Sequence, residues 1–195
     1  MHRTSDRVGP VRVVLLCHSY VRRLDEYMQR IPCRRNLGFA NVDVTVHCVA
    51  WGGGTARHGR RCMAHLLPDV VALNPHIIFV NLGENDLPHE SPSSLCNLYC
   101  DLLRRLYTVC PVIIVGQLLP FPRCPRNHPL VAATNERLAH VPRHPGFFWR
   151  HRCGFFQPSS ARLFLPDRIH LNNTGMARYW ASVRTAVGQA LQQRR

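Results

Sequence analysis

The most suggestive short segment is Asp167-Arg168-Ile169-His170, near the C-terminus. Three-residue spacing on a turn lets a carboxylate hydrogen-bond the imidazole of the same segment. That contact fixes the ring tautomer and stabilises the imidazolium formed when the ring takes a proton. A plain surface turn would use the same residues. At the other end of the chain, Cys17-His18-Ser19 follows an apolar run and precedes a helical pattern that starts near Tyr20. A serine at a strand-to-helix junction presents its hydroxyl above a sheet, where N–H groups of the helix start can stabilise a developing oxyanion. The simpler reading of Ser19 is an N-cap. Gly52-Gly53-Gly54-Thr55 follows a second apolar run and would let backbone N–H groups approach a ligand closely, or would be only a flexible turn. Gly83-Glu84-Asn85-Asp86 follows a third: Gly83 permits a tight turn, and the Asn85 amide either donates to an oxyanion or closes an Asx-turn. A hydroxyl nucleophile, an imidazole base with its carboxylate, and grouped N–H donors are the parts of covalent acyl transfer, provided the fold brings them together.

The elements that must do so are short. Residues 11–16, 42–49, 76–82 and 112–117 are apolar, rich in β-branched residues and bounded by turn residues, as buried strands are; a weaker fifth run covers 146–149. Helical spacing lies between them: Val21, Leu24, Tyr27 and Met28 share one face, as do Leu95, Leu98, Leu102, Leu103 and Leu106 after a Ser91-Pro92 start. Met176, Tyr179, Trp180, Val183, Val187 and Leu191 mark a long C-terminal helix. Alternating strands and helices of this length predict a parallel sheet covered by helices on both faces, with ligands beyond the carboxyl ends of the strands. Every candidate block above follows a strand or lies in the loops over those ends. Residues 1–10 read as a polar tail and 11–195 as one domain.

Ser, Gly, Asn and His blocks in this chain order resemble the SGNH-hydrolase superfamily, also called GDSL-type esterases and lipases. The resemblance spans residues 11–191, and its most specific pieces are Gly83 to Asp86 (Gly-x-Asn-Asp) and Asp167 to His170 (Asp-x-x-His). It implies a three-layer α/β/α sandwich of flavodoxin-like type with a mainly parallel sheet of about five strands. It also implies Ser19 as nucleophile, His170 as general base, Asp167 as its orienting carboxylate, and an oxyanion hole from the Ser19 N–H, the N–H of Gly53 or Gly54, and the Asn85 side chain. His18 and Gly83 would be supporting residues. No cofactor or metal is required, and the substrate would be a short acyl or acetyl ester on a small molecule, lipid or carbohydrate. One block departs from the family: its usual Gly-Asp-Ser reads Cys17-His18-Ser19, which removes a permissive backbone position and puts a second imidazole beside the nucleophile. The stretch from His18 to Leu24 is also similar to SGNH-type domains in open reading frames of eukaryotic mobile elements.

Charge supplies a reading from another class. The chain has 25 basic residues, all arginine, against 11 acidic ones, a net charge of +14. Arginine's planar fork suits phosphate and carboxylate, so the alternative is a catalytically weak or inactive SGNH-fold module that binds nucleic acid or scaffolds a ribonucleoprotein particle. The arginine pairs are scattered, as on ordinary solvated faces. With 46% hydrophobic and 18% charged residues the chain falls outside the disordered class. Nine cysteines without a Cys-x-x-Cys pair read mostly as buried thiols in a reducing, cytoplasmic or nuclear setting, and no run is long enough for a transmembrane segment or a secretory signal. The sequence leaves the oligomeric state undetermined. His58, His65, His140, His144 and His151 share no face that predicts a metal site. Residues 120–125 read as a rigid rim loop, Trp149 and Trp180 as core or interface aromatics. Glu84 and Asp86 carry no expected catalytic role, one of them capping the helix that follows.

Overall fold

The computed structural model describes residues 9–194, so the expected tail, 1–10, lies outside it save for Gly9 and Pro10. The five apolar runs form β1 (Val11–Cys17), β2 (Val44–Ala50), β3 (Ile77–Asn81), β4 (Ile113–Gly116) and β5 (Phe147–Trp149). Their pairings are all parallel, in the order β2-β1-β3-β4-β5. Parallel neighbours cannot be joined by tight hairpins, so the chain crosses over between strands. The crossovers and C-terminus carry α1 (Ser19–Gln29), α2 (Leu67–Ala72), α3 (Pro92–Leu106), α4 (His128–Leu138) and α5 (Asn173–Gln193).

Period-two alternation divides the strands between two cores. Val13, Leu15, Ile77, Phe79 and Ile114 pack with Leu24 and Met28 of α1 and with Tyr179 and Val183 of α5. Val14, Leu16, Ile78, Val80 and Ile113 pack with Val70 of α2, Leu102 and Leu106 of α3, and Val131 and Leu138 of α4. The result is the expected three-layer α/β/α sandwich. Because both faces are covered, every residue of β3 and β4 is buried, which is why these strands read as continuous apolar runs.

The topology then sets where a site can form. After β1 the chain builds β2 on one side and β3 on the other, so the strand order reverses at β1 and opens a crevice beyond its carboxyl end. Cys17, the last residue of β1, is in register with Ala50 of β2 and Asn81 of β3, so the loops carrying Ser19, the glycines and Asn85 leave the sheet side by side.

The segment before α5 is held as firmly. Asn172 caps α5 by accepting from the Gly175 N–H at 3.0 Å, while its Nδ2 donates to the carbonyls of Arg162 (2.8 Å) and Phe164 (3.1 Å). The Leu165 N–H donates to the His170 carbonyl at 2.7 Å, closing the loop that contains residues 167–170. Behind the crevice a polar seam fixes α5 to the sheet: Tyr179 Oη donates to Asn81 Oδ1 (2.8 Å), and Ser182 Oγ accepts from Trp149 Nε1 (2.9 Å) and lies 2.8 Å from His151 Nδ1. His151 is fully enclosed, and burial lowers its pKa to about 4 despite the opposing charge of Glu84.

Candidate active site

Helix α1 begins abruptly. His18 is its N-cap but provides no side-chain cap, and Ser19 is the first helical residue, so the fold does not use Ser19 as the cap. The Ser19 N–H at the start of α1 is therefore left to a ligand, and the half-buried Ser19 hydroxyl has no hydrogen-bond partner among the described residues. Two residues earlier, Cys17 offers no competing thiolate: burial above all, then the charge of Glu84, pushes its pKa well above the ordinary thiol range.

His18 faces inward rather than into the crevice. Its Nε2 is 2.8 Å from Glu84 Oε2, and the two residues are 1% and 2% exposed, among the most deeply buried polar side chains of the protein. The other oxygen, Glu84 Oε1, accepts the Leu119 N–H at 2.9 Å. Glu84 thus joins the ends of β1, β3 and β4. His18 Nδ1 is buried without a partner among the described residues, which fits a ring whose Nε2 carries the proton facing Glu84, a tautomer inferred from the hydrogen bonding. Sequence reasoning missed this role for Glu84. The signal was present: an imidazole stands where the resemblance leads one to expect an acid, and a carboxyl group stands in another strand-end block.

Asp86 also has a structural task, and neither acid caps the next helix. Asp86 accepts the N–H groups of Ala56 (3.0 Å) and Arg57 (2.9 Å), tying its block to the loop after β2, whereas Ser91 caps α3 by accepting from the Ser94 N–H. Burial raises the Asp86 pKa against the lowering effect of those two donors.

The glycines now separate. The Gly54 N–H is consumed by the Trp51 carbonyl at 2.8 Å, and its own carbonyl accepts from Asn85 Nδ2 at 2.9 Å. That bond uses one of the two amide protons of Asn85 and aims the other. A side chain at Gly54 would put Cβ 2.9 Å from the Trp51 carbonyl oxygen. Gly53 has φ of +71°, a conformation that glycine adopts without strain, and its N–H has no hydrogen-bond partner among the described residues. Gly83, at φ +119°, makes the turn that carries Glu84 and Asn85.

Asp167 and His170 pair as their spacing predicts. Asp167 Oδ2 is 2.7 Å from His170 Nδ1, and Oδ1 accepts the N–H groups of Ile169 and His170, each at 2.9 Å. Desolvation pushes the Asp167 carboxyl up, but the hydrogen bonds from the His170 N–H, the His170 ring and the Ile169 N–H together hold it down at about 2. A proton on Nδ1 facing this carboxylate leaves His170 Nε2 as the basic position. The turn is tied to α1 by Tyr20 Oη, which donates to the Ile169 carbonyl at 3.2 Å. One residue on either side of that bond are Ser19 and His170. They make no direct hydrogen bond, a contact that commonly closes only when substrate is bound.

Two further expectations change. Among the cysteines, Cys17, Cys62 and Cys110 are buried and Cys33 is exposed, while the remainder are half-buried, so buried thiols are the minority. Residues 120–125 do form an irregular loop after β4, but α4 follows it, a helix the sequence pattern did not reveal. Among the described residues, no group of three His, Cys, Asp or Glu side chains is arranged to hold a metal ion, and no helix is long and apolar enough to cross a membrane.

The chain belongs to the GDSL-like Lipase/Acylhydrolase family, which it matches over residues 9–178, and at the level of that family it is an ester hydrolase. No curated protein sequence matches it. Among solved structures it resembles an acetylxylan esterase from Geobacillus stearothermophilus (TM-score 0.67, 13% identity, covering 93% of this chain and 96% of that one). It also resembles a GDSL-like lipase from Bacteroides thetaiotaomicron (0.65, 16%, 92% and 88%). A third is a carbohydrate esterase of family 3 from Talaromyces cellulolyticus (0.64, 17%, 94% and 99%). At these identities the likeness shows the fold.

Proposed function

We propose that this protein is a serine esterase acting on carboxylic esters through Ser19, His170 and Asp167. His170 Nε2 takes the hydroxyl proton as Ser19 Oγ attacks the ester carbonyl, and Asp167 steadies the resulting imidazolium. The oxyanion receives the N–H of Ser19, the N–H of Gly53 and the second amide proton of Asn85. The protonated His170 then gives its proton to the departing alcohol, leaving an acyl group on Ser19. A water molecule, deprotonated by the same ring, releases the acid and restores the hydroxyl.

The observation that carries this reading is the Asp167–His170 pair, bonded at 2.7 Å and held one residue from a hydrogen bond to the helix that starts with Ser19. Assigning the glycine donor to Gly53 is supported by the engagement of the Gly54 N–H in a turn. The alternative of a catalytically weak SGNH-fold module that binds nucleic acid draws on the arginine excess and on the altered block around His18. The pairing of His18 with Glu84 gives that block an internal function and favours the enzymatic reading. The printed names of two structural neighbours concern acetylxylan and carbohydrate esters, which makes acetyl esters a sensible first substrate. Turnover of 4-nitrophenyl acetate should fall to background in Ser19→Ala, with folding unchanged by circular dichroism. Retention of full activity by that variant would refute the assignment.

A further inference from the structure

Arg168 lies between the two residues of the Asp167–His170 pair and has φ of +55°, a left-handed conformation that favours glycine. The surroundings hold it there: its N–H donates to the Leu165 carbonyl at 2.8 Å, and its carbonyl accepts from the Arg123 N–H at 3.2 Å. A position whose backbone suits glycine nevertheless carries the longest cationic side chain available. Strained residues of this kind cluster at functional sites.

The side chain has a setting that suggests one. Arg168 forms part of the wall of a cavity of about 460 Å³, within the size range of small-molecule sites. Phe155, also in the wall, is fully buried in the core, which anchors that side, and the rings of the lining Pro120 and Pro122 restrict the other. Arg168 forms no ion pair among the described residues, whereas Asp167 beside it is committed to His170. The cavity reaches the neighbourhood of the proposed site through Arg168, the chain neighbour of Asp167. Phe121, between two of the lining prolines, packs its ring edge-on against Tyr20 with centroids 6.3 Å apart, next to Ser19.

We propose that this cavity binds the acyl group of the substrate and that Arg168 selects for a carboxylate on it, so that the preferred esters are those of apolar dicarboxylic acids. The inference rests on the esterase reading above. Each methylene desolvated in the cavity should raise kcat/KM about fourfold. A charge-assisted hydrogen bond to the guanidinium should add about tenfold for a carboxylate over a neutral chain of equal length. The net positive charge of the protein acts in the same direction by steering anions towards it.

The test compares 4-nitrophenyl acetate, 4-nitrophenyl octanoate and the mono-4-nitrophenyl ester of suberic acid, at low and high salt. Within one enzyme, the ratio of kcat/KM values cancels changes in the chemical step. The wild type should prefer octanoate to acetate and suberate to octanoate by about tenfold at low salt, with the second preference shrinking as salt rises. Arg168→Gly, which suits the backbone, should melt no lower than the wild type yet reduce the suberate-to-octanoate ratio to within about twofold of one. Arg168→Lys should keep part of it. A wild-type ratio near one, or a ratio unchanged in Arg168→Gly, overturns the role of Arg168. Faster turnover of acetate than of both longer esters overturns the cavity assignment. If no ester is hydrolysed in a manner that depends on Ser19, the esterase reading itself fails, and this proposal with it.

Discussion

Removing the carboxyl group of Glu84 should destabilise the protein more than almost any other single polar change. Its two oxygens satisfy two buried donors, the His18 ring at 2.8 Å and the Leu119 N–H at 2.9 Å. In Glu84→Ala both donors lose their partner where water does not reach. At about 1–3 kcal/mol for each buried unsatisfied donor, the loss comes to about 4 kcal/mol, in line with the roughly 3–5 kcal/mol typical of breaking one side of a buried pair. Glu84→Gln is milder but not neutral. Its amide oxygen can take the place of only one of the two carboxylate oxygens, so its NH2 faces the other donor. If the His18 ring responds by moving its proton to Nδ1, that proton enters a position with no partner, since Nδ1 is buried and unbonded. The expected cost is about 2 kcal/mol. Urea unfolding followed by tryptophan fluorescence measures both, and a stable domain has roughly 5–15 kcal/mol to lose. The double variant His18→Ala/Glu84→Ala should be more stable than the sum of the single losses predicts, showing coupling of at least about 1 kcal/mol. Losses within about 0.5 kcal/mol of zero for Glu84→Ala, or additive single effects, would refute the claim that this pair binds the strand ends together.

Asn85→Ala should lower kcat by roughly a hundredfold to a thousandfold with little change in KM, as measured on 4-nitrophenyl acetate, because it removes a donor to charge that develops only in the transition state. Tyr20→Phe deletes the bond to the Ile169 carbonyl and should cost about 1 kcal/mol of stability, with a fall in kcat as the turn loosens. His151 sets a pH dependence of stability whose sign follows from its lowered pKa of about 4. Between about pH 6.5 and 4 the unfolded chain protonates this ring while the folded protein does not, so stability falls as pH falls. The full effect is about 3 kcal/mol. Urea midpoints for wild type and His151→Gln, taken from pH 7 down to 4, should show a shallower decline in the variant.

Much of this architecture could be read from residues in order because its signals are local. Strands buried on both faces are continuous apolar runs, and β3 shows this most plainly. The Asp167–His170 contact is also local, made within one turn. What escaped depends on distant partners. The face that α4 buries includes Thr134 and Asn135, and Asn135 bonds both the N–H and the carbonyl of Leu118, so its polar residues disguised a packed helix. Glu84 meets its partners across the ends of three strands, which no window of sequence displays. The choice between Gly53 and Gly54 turned on a single hydrogen bond to Trp51. Arg168 is an ordinary letter in the sequence and becomes unusual only through its backbone angle.

The claim on which the account depends is that Ser19 is activated by His170. A fluorophosphonate probe reacts with a serine so activated, and peptide mapping by mass spectrometry then locates the label. The account predicts one labelled peptide, modified at Ser19, and no labelling in His170→Ala. Modification of some other residue in the folded wild type, or labelling of Ser19 that persists without the His170 ring, would contradict it.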